Sequence, residues 1–453
     1  MFHQGVERKW TQVQTQTRAT SQAPPFALPA RYMLSGLIGF VLFAVDLVWH
    51  VIPLTEGQIS NPHVIALTHL LTLGVLLTFV MGAVYQLLTV AFLIPLKTEK
   101  VGRLNFWLYL TGVVGLWGSM NTWWVLGLDI FGAVVVLGLY VYAGLILWSL
   151  SSSRVGGAMR GFVLSAHIYL ILAVTVAWLL VLSFIVPGLA PWQSQLLATH
   201  IVLAAGGFFG FIILGFSYKL LPMFTLSHGY STARQNYTQV LLHLGLWSLL
   251  AAAWFHGAIW VTVGGVLALT GFVVQVWDIL DIFKKRMRKR VDLPIRVVAM
   301  AFAIAGVGMV AVVVIPWTGV GIVAWQDLIT FYLLGVVALI LISYAYKIVP
   351  FLVWTERYGK HVGKAKIPLM ADLLNLQHSR WVYSLFGSGL LLYLVSFALL
   401  WPIGIWLGAG LLAAGVLVFG GQMFYVLDLR KLPQELRGTK SFLQGRDDTG
   451  SEL

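Results

Sequence analysis

The sequence predicts an all-α polytopic membrane protein with about twelve transmembrane helices. Of its 453 residues, 59% are hydrophobic and only 10% are charged, whereas about 25% of the residues in ordinary soluble domains are charged. The mean hydropathy is +0.88. Apolar runs that are long enough to cross a bilayer as helices recur along the chain, and the basic residues between them follow a one-sided pattern.

The apolar runs fill the chain between two polar tails. Residues 1–30 are rich in Gln, Thr and Pro and lack the apolar core of a secretion signal, and residues 429–453 are polar. Both segments are therefore predicted to be disordered cytoplasmic tails, on either side of a membrane domain at 31–428. The predicted spans are residues 31–53, 63–95, 104–120, 122–150, 160–187, 193–223, 238–257, 259–283, 295–316, 326–353, 380–400 and 403–428.

The placement of Lys and Arg predicts the topology. With twelve spans, both termini and every second connection lie on one side of the membrane, and all 29 Lys and Arg residues fall on that side. By the positive-inside rule this side is the cytoplasm, and we expect a multi-pass protein of a prokaryotic plasma membrane. The basic run KKRMRKR at 284–290 is then a topology signal that faces anionic lipid, and the net charge of +13 does not indicate a nucleic-acid partner.

A short phrase occurs three times in the chain. GFSYKLLPMF at 215–224 returns as SYAYKIVPFL at 343–352 and, more loosely, as GAVYQLLTVA at 82–91. The copies end the second, sixth and tenth predicted helices, and this equal spacing predicts repeated four-helix units. Alternatively, the phrase only marks an interfacial helix end, where Tyr and Lys reach the headgroups and Pro stops the helix. The predicted units are residues 31–150, 160–283 and 295–428.

Three histidines in apolar runs are candidate ligands. His69 and His200 each follow a Thr about eight residues into an outside-starting helix, so a rise of ~1.5 Å per residue gives them nearly the same depth. His256 ends the seventh helix close to that level. The chain contains no Cys, so neutral imidazoles are the donors available for haem iron or copper. The alternative is that each imidazole hydrogen-bonds a neighbouring helix or a water.

The repeat does not place the first two histidines identically. His69 lies sixteen residues before Tyr85, whereas His200 lies eighteen residues before Tyr218. An ungapped superposition of the two phrases would therefore turn the two imidazoles to different helix faces.

Further polar residues lie in the outer third of the predicted spans. Asp46 and His50 are four residues apart and share a helix face. The carboxylate could orient the imidazole as a partner of a metal ligand, or the pair could pass protons. His63 and Asp129 are further candidate polar positions within the membrane. Asp327, in WQDL, is expected to cap the outer end of the tenth helix.

Twelve helices with both termini inside, a threefold repeat and histidines in the outer parts of helices 2, 6 and 7 together resemble subunit I of the haem-copper oxidases. The same superfamily includes nitric oxide reductases and membrane proteins linked to nitric oxide responses. The resemblance covers about residues 31–428. It implies that His69 ligates a low-spin haem, and that His200 and His256 hold the partner metal.

The chain departs from that family at several positions. The tenth helix of the family carries a His-x-His pair, but WQDLITFYLLGVV at 325–337 contains no His. The His pair of helix 7 is reduced to His256, and Ala204 stands where the family has a Tyr four residues after the helix 6 histidine. The predicted outer side has no cation to meet haem propionates. A complete oxygen reductase is therefore not expected, and no residue is predicted to be catalytic.

Three functions remain open from the sequence. In the first, the chain binds haem b or copper and serves redox sensing, nitric oxide handling or electron transfer, with an electron donor or a respiratory complex as its partner. In the second, it is a transporter with a polar path through the helix bundle. In the third, it is a cofactor-free assembly partner of a respiratory complex. The transporter path would be lined by Asp46, His50, His69 and Asp129.

Overall fold

The computed structural model describes residues 26–427, except residues 57, 59, 256, 320 and 362–366. In this part of the chain the secondary structure is helical, and the only β-type contact is an isolated bridge between Ser227 and Arg286. Eleven helices among the described residues are long and apolar enough to cross a membrane. These helices confirm the all-α polytopic membrane fold. The tails at 1–25 and 428–453 lie outside the described residues.

The long helices lie where the apolar runs predict them. The third is the least apolar: it has 24 residues and begins with Glu99, Lys100 and Arg103, and it is not among the eleven. We label them α1 (Ala27–Trp49), α2 (Pro62–Ala91), α3 (Glu99–Thr122), α4 (Val125–Leu150), α5 (Ala158–Leu182), α6 (Ala190–Thr225), α7 (Gln235–Phe255), α8 (Ala258–Lys284), α9 (Leu293–Val314), α10 (Gly321–Tyr358), α11 (Ser379–Ala398) and α12 (Pro402–Leu427).

The helices pack in chain order and close on themselves. α3 packs along α4, α7 along α8, and α11 along α12. Each of these hairpins then packs against the next helix in turn, α4 against α5, α8 against α9, and α12 back against α1. α2, α6 and α10 lie inside, because a small apolar cavity of about 70 Å³ is lined by side chains from all three. The histidine-bearing helices α2 and α6 are therefore inner helices.

Each of the three inner helices contains a π-helical segment. The segments are Leu70–Leu77 in α2, Val202–Gly210 in α6 and Phe331–Ala338 in α10. Each segment ends eight residues before the tyrosine of its phrase. A π-helical turn is wider than an α-helical turn and moves backbone groups out of register, and such turns are frequent at functional sites.

Tyrosines from other helices satisfy backbone carbonyls in two of these segments. The Tyr109 hydroxyl of α3 donates to the Leu73 carbonyl at 2.8 Å. The Tyr332 hydroxyl of α10 donates to the Ala205 carbonyl at 2.8 Å. In a bilayer core, where no water is available, such interhelical bonds stabilise a backbone that the regular helix ladder leaves incomplete.

The three phrase tyrosines are buried, and each contacts the helix two positions further along the chain. The ring of Tyr85 meets Tyr142 of α4 edge-on at 5.6 Å between centroids. Tyr218 donates to Asp278 of α8 at 3.1 Å. The third member, Tyr346 of α10, donates to Gln422 of α12 at 2.8 Å. The phrase thus ties each inner helix to an outer hairpin.

The expectation that Pro stops these helices is wrong for α10. Pro222 lies inside α6, which ends three residues later at Thr225. Pro350 lies inside α10, which continues to Tyr358. A prolyl residue removes one hydrogen bond of the helix ladder, but packing against neighbouring helices lets a membrane helix continue through it.

Close packing of α1 on α2 provides a stability test. A Cβ atom on Gly39 would lie 2.5 Å from the carbonyl oxygen of Gly74. Since backbone must move to admit it, we expect Gly39→Ala to lower the free energy of unfolding by about 1–3 kcal/mol. Gly144→Ala, in α4, is the matched control because a Cβ there meets nothing within 4 Å. Equilibrium unfolding in detergent measures both changes, and equal effects would contradict the close approach.

Candidate functional site

The imidazole rings of His69 in α2 and His200 in α6 lie close together inside the bundle, with nearly parallel planes. Their ring centroids are 6.4 Å apart and their ring planes differ by only 4°. The unequal spacing to the phrase tyrosines does not separate the two rings. The π-helical segment begins one residue after His69 but two residues after His200. The residues between each histidine and its phrase tyrosine are therefore wound differently in the two helices, and an ungapped superposition does not apply.

Hydrogen bonds fix the tautomer of both imidazoles. Nδ1 of His69 is 2.8 Å from the carbonyl oxygen of Ile65 in the same helix. Nδ1 of His200 is 3.0 Å from the carbonyl oxygen of Ala173 in α5. A carbonyl oxygen only accepts, so in each ring Nδ1 carries the hydrogen and donates it. In the neutral imidazole the lone pair is then on Nε2, which is the arrangement found in metal-ligating histidines.

The separation of the rings equals the spacing that two imidazoles would have if both Nε2 atoms pointed at one metal atom between them. A metal–nitrogen distance of about 2.0–2.1 Å and about 1.1 Å from nitrogen to ring centre give ring centroids about 6.3 Å apart for opposite ligands. The observed 6.4 Å agrees with that value. The donor set of two imidazoles also suits haem, whose iron takes its remaining ligands from the porphyrin.

A bare metal ion fits the described residues less well. A zinc site uses three or four protein ligands, and Cu(II) prefers a square-planar or tetragonal set of donors. Within the described ranges, no group of three or more His, Asp or Glu side chains is arranged to hold a metal ion. Two imidazoles alone would therefore leave a zinc or Cu(II) ion short of ligands.

The end of α7 lies next to His200. Trp254 of α7 donates its indole N–H to the hydroxyl of Thr199 at 3.0 Å. His256 follows Trp254 by two residues but lies outside the described residues. Its assignment as a metal ligand therefore stays a prediction.

An apolar cavity of about 300 Å³ lies beside the same stretch of α6. It is lined by side chains of α6 to α10, among them Ile201 and Val202, which directly follow His200. The glycines of the GGFFG sequence divide between two uses. Gly206 and Gly210 line the cavity, whereas Gly207 packs on the Tyr169 side chain, 2.8 Å from where its Cβ would be.

Asp46, His50 and His63 form a second polar cluster, near the ends of α1 and α2. Nδ1 of His50 donates to Oδ1 of Asp46 at 2.6 Å, and Nδ1 of His63 donates to Oδ1 of Asn121 in α3 at 2.8 Å. The two imidazoles stack with centroids 4.3 Å apart and planes 11° apart. This separation is too short for a metal between the rings, so the pair is a hydrogen-bonded stack rather than a second ligand pair.

The residues just before His63 place it at the first turn of α2, and so in this cluster. Asn61 caps the start of α2, where its side chain accepts the backbone N–H of His63 at 2.9 Å, and Pro62 occupies the first helical turn. Asn and Pro at these positions are typical of a helix N-terminus. The other oxygen of Asp46, Oδ2, is buried without a hydrogen-bond partner among the described residues.

The remaining predicted polar residues have separate surroundings. Asp129 of α4 accepts the indole N–H of Trp178 in α5 at 3.0 Å. Asp327 does not cap α10, because the helix is already formed at Gly321, six residues earlier. Its Oδ1 is buried without a hydrogen-bond partner in the described part of the chain. The WQDL pattern was misleading because the first helical turn starts upstream of it.

Two further buried or partly buried histidines fit the hydrogen-bonding alternative. Both ring nitrogens of His167 have partners, the Val163 carbonyl at 2.7 Å and the Tyr142 hydroxyl at 3.3 Å. His243 lies between the hydroxyls of Ser165 and Tyr169. These rings use both nitrogens within the protein, in contrast to His69 and His200.

Sequence reasoning missed several partners of these histidines. The carbonyls of Ile65 and Ala173 leave no trace in side-chain patterns. Asn121 was detectable in principle, since an amide in an apolar helix needs a hydrogen-bond partner.

No protein-family model matches this chain, and no curated protein matches it. The assignment of the site therefore depends on its geometry.

The Asp46–His50 pair should be energetically coupled. His50→Ala leaves the buried Asp46 carboxylate without its partner, and we expect a loss of about 1–3 kcal/mol in the free energy of unfolding. Asp46→Ala removes the same bond, so the double variant should lose less than the sum of the singles, by about 0.5–3 kcal/mol. A double-mutant cycle measured by detergent unfolding checks this. His228→Ala, at an exposed position, is the control, and strictly additive losses would contradict the coupling.

Proposed function

We propose that this protein is a membrane-embedded haem b protein, in which the imidazoles of His69 and His200 would both hold the iron. One observation carries the proposal: two parallel imidazoles, 6.4 Å between centroids, with both Nδ1 atoms engaged by backbone carbonyls. Such a pair has two Nε2 lone pairs to offer and a spacing that one metal centre fills. The chain's own part in this function is to hold both rings in one tautomer and one orientation.

The packing supports a finer architecture of three four-helix units. Three outer hairpins pack on three inner helices, and each inner helix carries a π-helical segment at the same distance from its phrase tyrosine. This arrangement is what the resemblance to subunit I of the haem-copper oxidases implies. In that family helix 10 supplies the second axial ligand of the low-spin haem. Here α6 would supply it, because α10 has no His at this level.

The proposed role is electron transfer or redox sensing rather than oxygen reduction. Haem iron with two imidazole ligands exchanges one electron and keeps no vacant position for a substrate. The His-x-His pair that the related enzymes use is absent from 325–337. An electron donor or a respiratory complex would be the partner. By the positive-inside rule, we place both termini in the cytoplasm of a prokaryotic cell.

The transporter alternative has less support. Its proposed polar path needs Asp46, His50, His69 and Asp129 to line one route. Asp46 and His50 bond each other, whereas Asp129 bonds Trp178 and His69 faces His200. These are three separate groups of contacts, so the observations favour the haem hypothesis. Cu(II) binding would require further ligands in addition to the two imidazoles, and His256 is the candidate from the sequence.

Absorption spectroscopy of the purified protein tests the proposal. We expect a Soret band with about one haem per chain, and loss of that band in His69→Ala and in His200→Ala, because each removes one axial ligand. His243→Ala is the control, since that ring is held by two hydroxyls away from the site. It should keep the band.

A rescue experiment separates ligation from folding. In His69→Gly or His200→Gly, free imidazole in the buffer should restore the band, because it can occupy the space left by the side chain. A colourless wild-type protein with no stoichiometric metal, or variants that keep the wild-type spectrum, would show that the ligands are wrongly assigned.

A further inference from the structure

The basic run at 284–290 forms an ordered, exposed surface. α8 ends at Lys284, and all seven residues of the run are exposed. Six of the seven are Lys or Arg, and the seventh is Met287. A patch with this density of like charge raises the free energy of the protein unless an anion approaches it.

Backbone contacts hold this run in place. Arg286 forms a bridge with Ser227, and the N–H groups of Met287 and Arg288 donate to the carbonyls of Leu226 and Thr225 at 3.4 and 3.3 Å. The Ser227 hydroxyl also donates to the carbonyl of Ile282 at 2.8 Å. The connection between α6 and α7 therefore fixes the end of α8, and an ordered surface loses less conformational entropy when it binds a ligand.

Neighbouring carboxylates neutralise only part of the run. Asp281 pairs with Lys285 at 3.6 Å. Asp292 pairs with Arg288 at 3.0 Å. No salt bridge of the described residues involves Lys284, Lys289 or Arg290. We call these three cations, together with Met287 and Leu226, the basic patch.

The basic patch also exposes apolar side chains, which a soluble anion would not contact. Met287 is 71% exposed and Leu226 is 53% exposed. Trp277, 61% exposed, lies seven residues before Lys284 and hence on the same face of α8. Its ring lies 5.1 Å from the guanidinium of Arg234. Cations beside exposed Trp, Leu and Met match a membrane interface, where phosphates lie next to acyl chains.

We propose that the basic patch is a binding site for an anionic phospholipid. Lys284, Lys289 and Arg290 would contact its phosphate-bearing headgroup, and Met287 and Leu226 would contact the upper part of its acyl chains. The site lies at the helix ends and does not involve His69 or His200. It is therefore independent of the proposed haem function.

Titration of the purified full-length protein with phosphatidylglycerol, followed by native mass spectrometry, tests this site. Each cation near a lipid surface contributes roughly a factor of five in affinity. The triple variant Lys284→Gln, Lys289→Gln, Arg290→Gln should therefore bind about a hundred-fold more weakly. The charge-matched control is Lys100→Gln, Arg103→Gln, Arg154→Gln, at exposed positions near the ends of α3 and α4. It should change the affinity less than about threefold, as expected for charges outside the site.

Two further arms identify the anion. Met287→Gln should weaken binding of phosphatidylglycerol without changing the much weaker binding of inorganic phosphate. Phosphatidylcholine should show no response to any variant. Equal losses in the two triple variants would mean diffuse surface charge instead of a site, and phosphate binding as tight as lipid binding would mean a soluble anion. Either result would overturn the proposal.

Discussion

The hydrogen bonds from Nδ1 of His69 and His200 to backbone carbonyls are the interactions on which the site depends. An imidazole in a dry helix bundle is stable when its N–H has an acceptor, because a polar group without a partner costs free energy there. Carbonyls of α2 and α5 supply those acceptors. Satisfying the two donors also leaves the lone pair of each neutral ring on Nε2, so in the proposed haem site the same bonds would serve both stability and ligation.

The inner helices provide the second condition for the site. The two rings lie on different inner helices, and each of these helices is fixed by its own contact with a neighbouring helix. α2 is fixed through Tyr109, which bonds a carbonyl of its π-helical segment, and α6 is fixed in the same way by Tyr332. A π-helical turn without such partners would leave carbonyl groups unpaired in an apolar surrounding. The widened turns begin one residue after His69 and two residues after His200, so the departure from regular helix geometry lies next to both imidazoles.

Much of the fold follows from the sequence because a bilayer imposes long apolar helices. Counting residues from the helix starts predicts nearly the same depth for His69 and His200, since the rise per residue is constant, and the structure brings their rings to 6.4 Å between centroids. Which face each ring takes was not predictable, because the π-helical segments change the register without a recognisable residue pattern. Asp327 failed as a cap for the related reason that helix starts are set by backbone contacts upstream.

The pair formed by His50 and His63 shows why distance decides between interpretations. That pair and the pair formed by His69 and His200 both have nearly parallel rings and Nδ1 atoms that donate. The centroid distance of 4.3 Å between His50 and His63 is a stacking distance, whereas the 6.4 Å between His69 and His200 leaves room for a metal.

Electron paramagnetic resonance of the oxidised protein tests the central claim, ligation of one haem iron by His69 and His200, most directly. Near-parallel imidazole planes on one iron predict a rhombic low-spin ferric signal. A high-spin signal, or a low-spin signal of the strongly axial type that perpendicular imidazole planes give, would contradict the account.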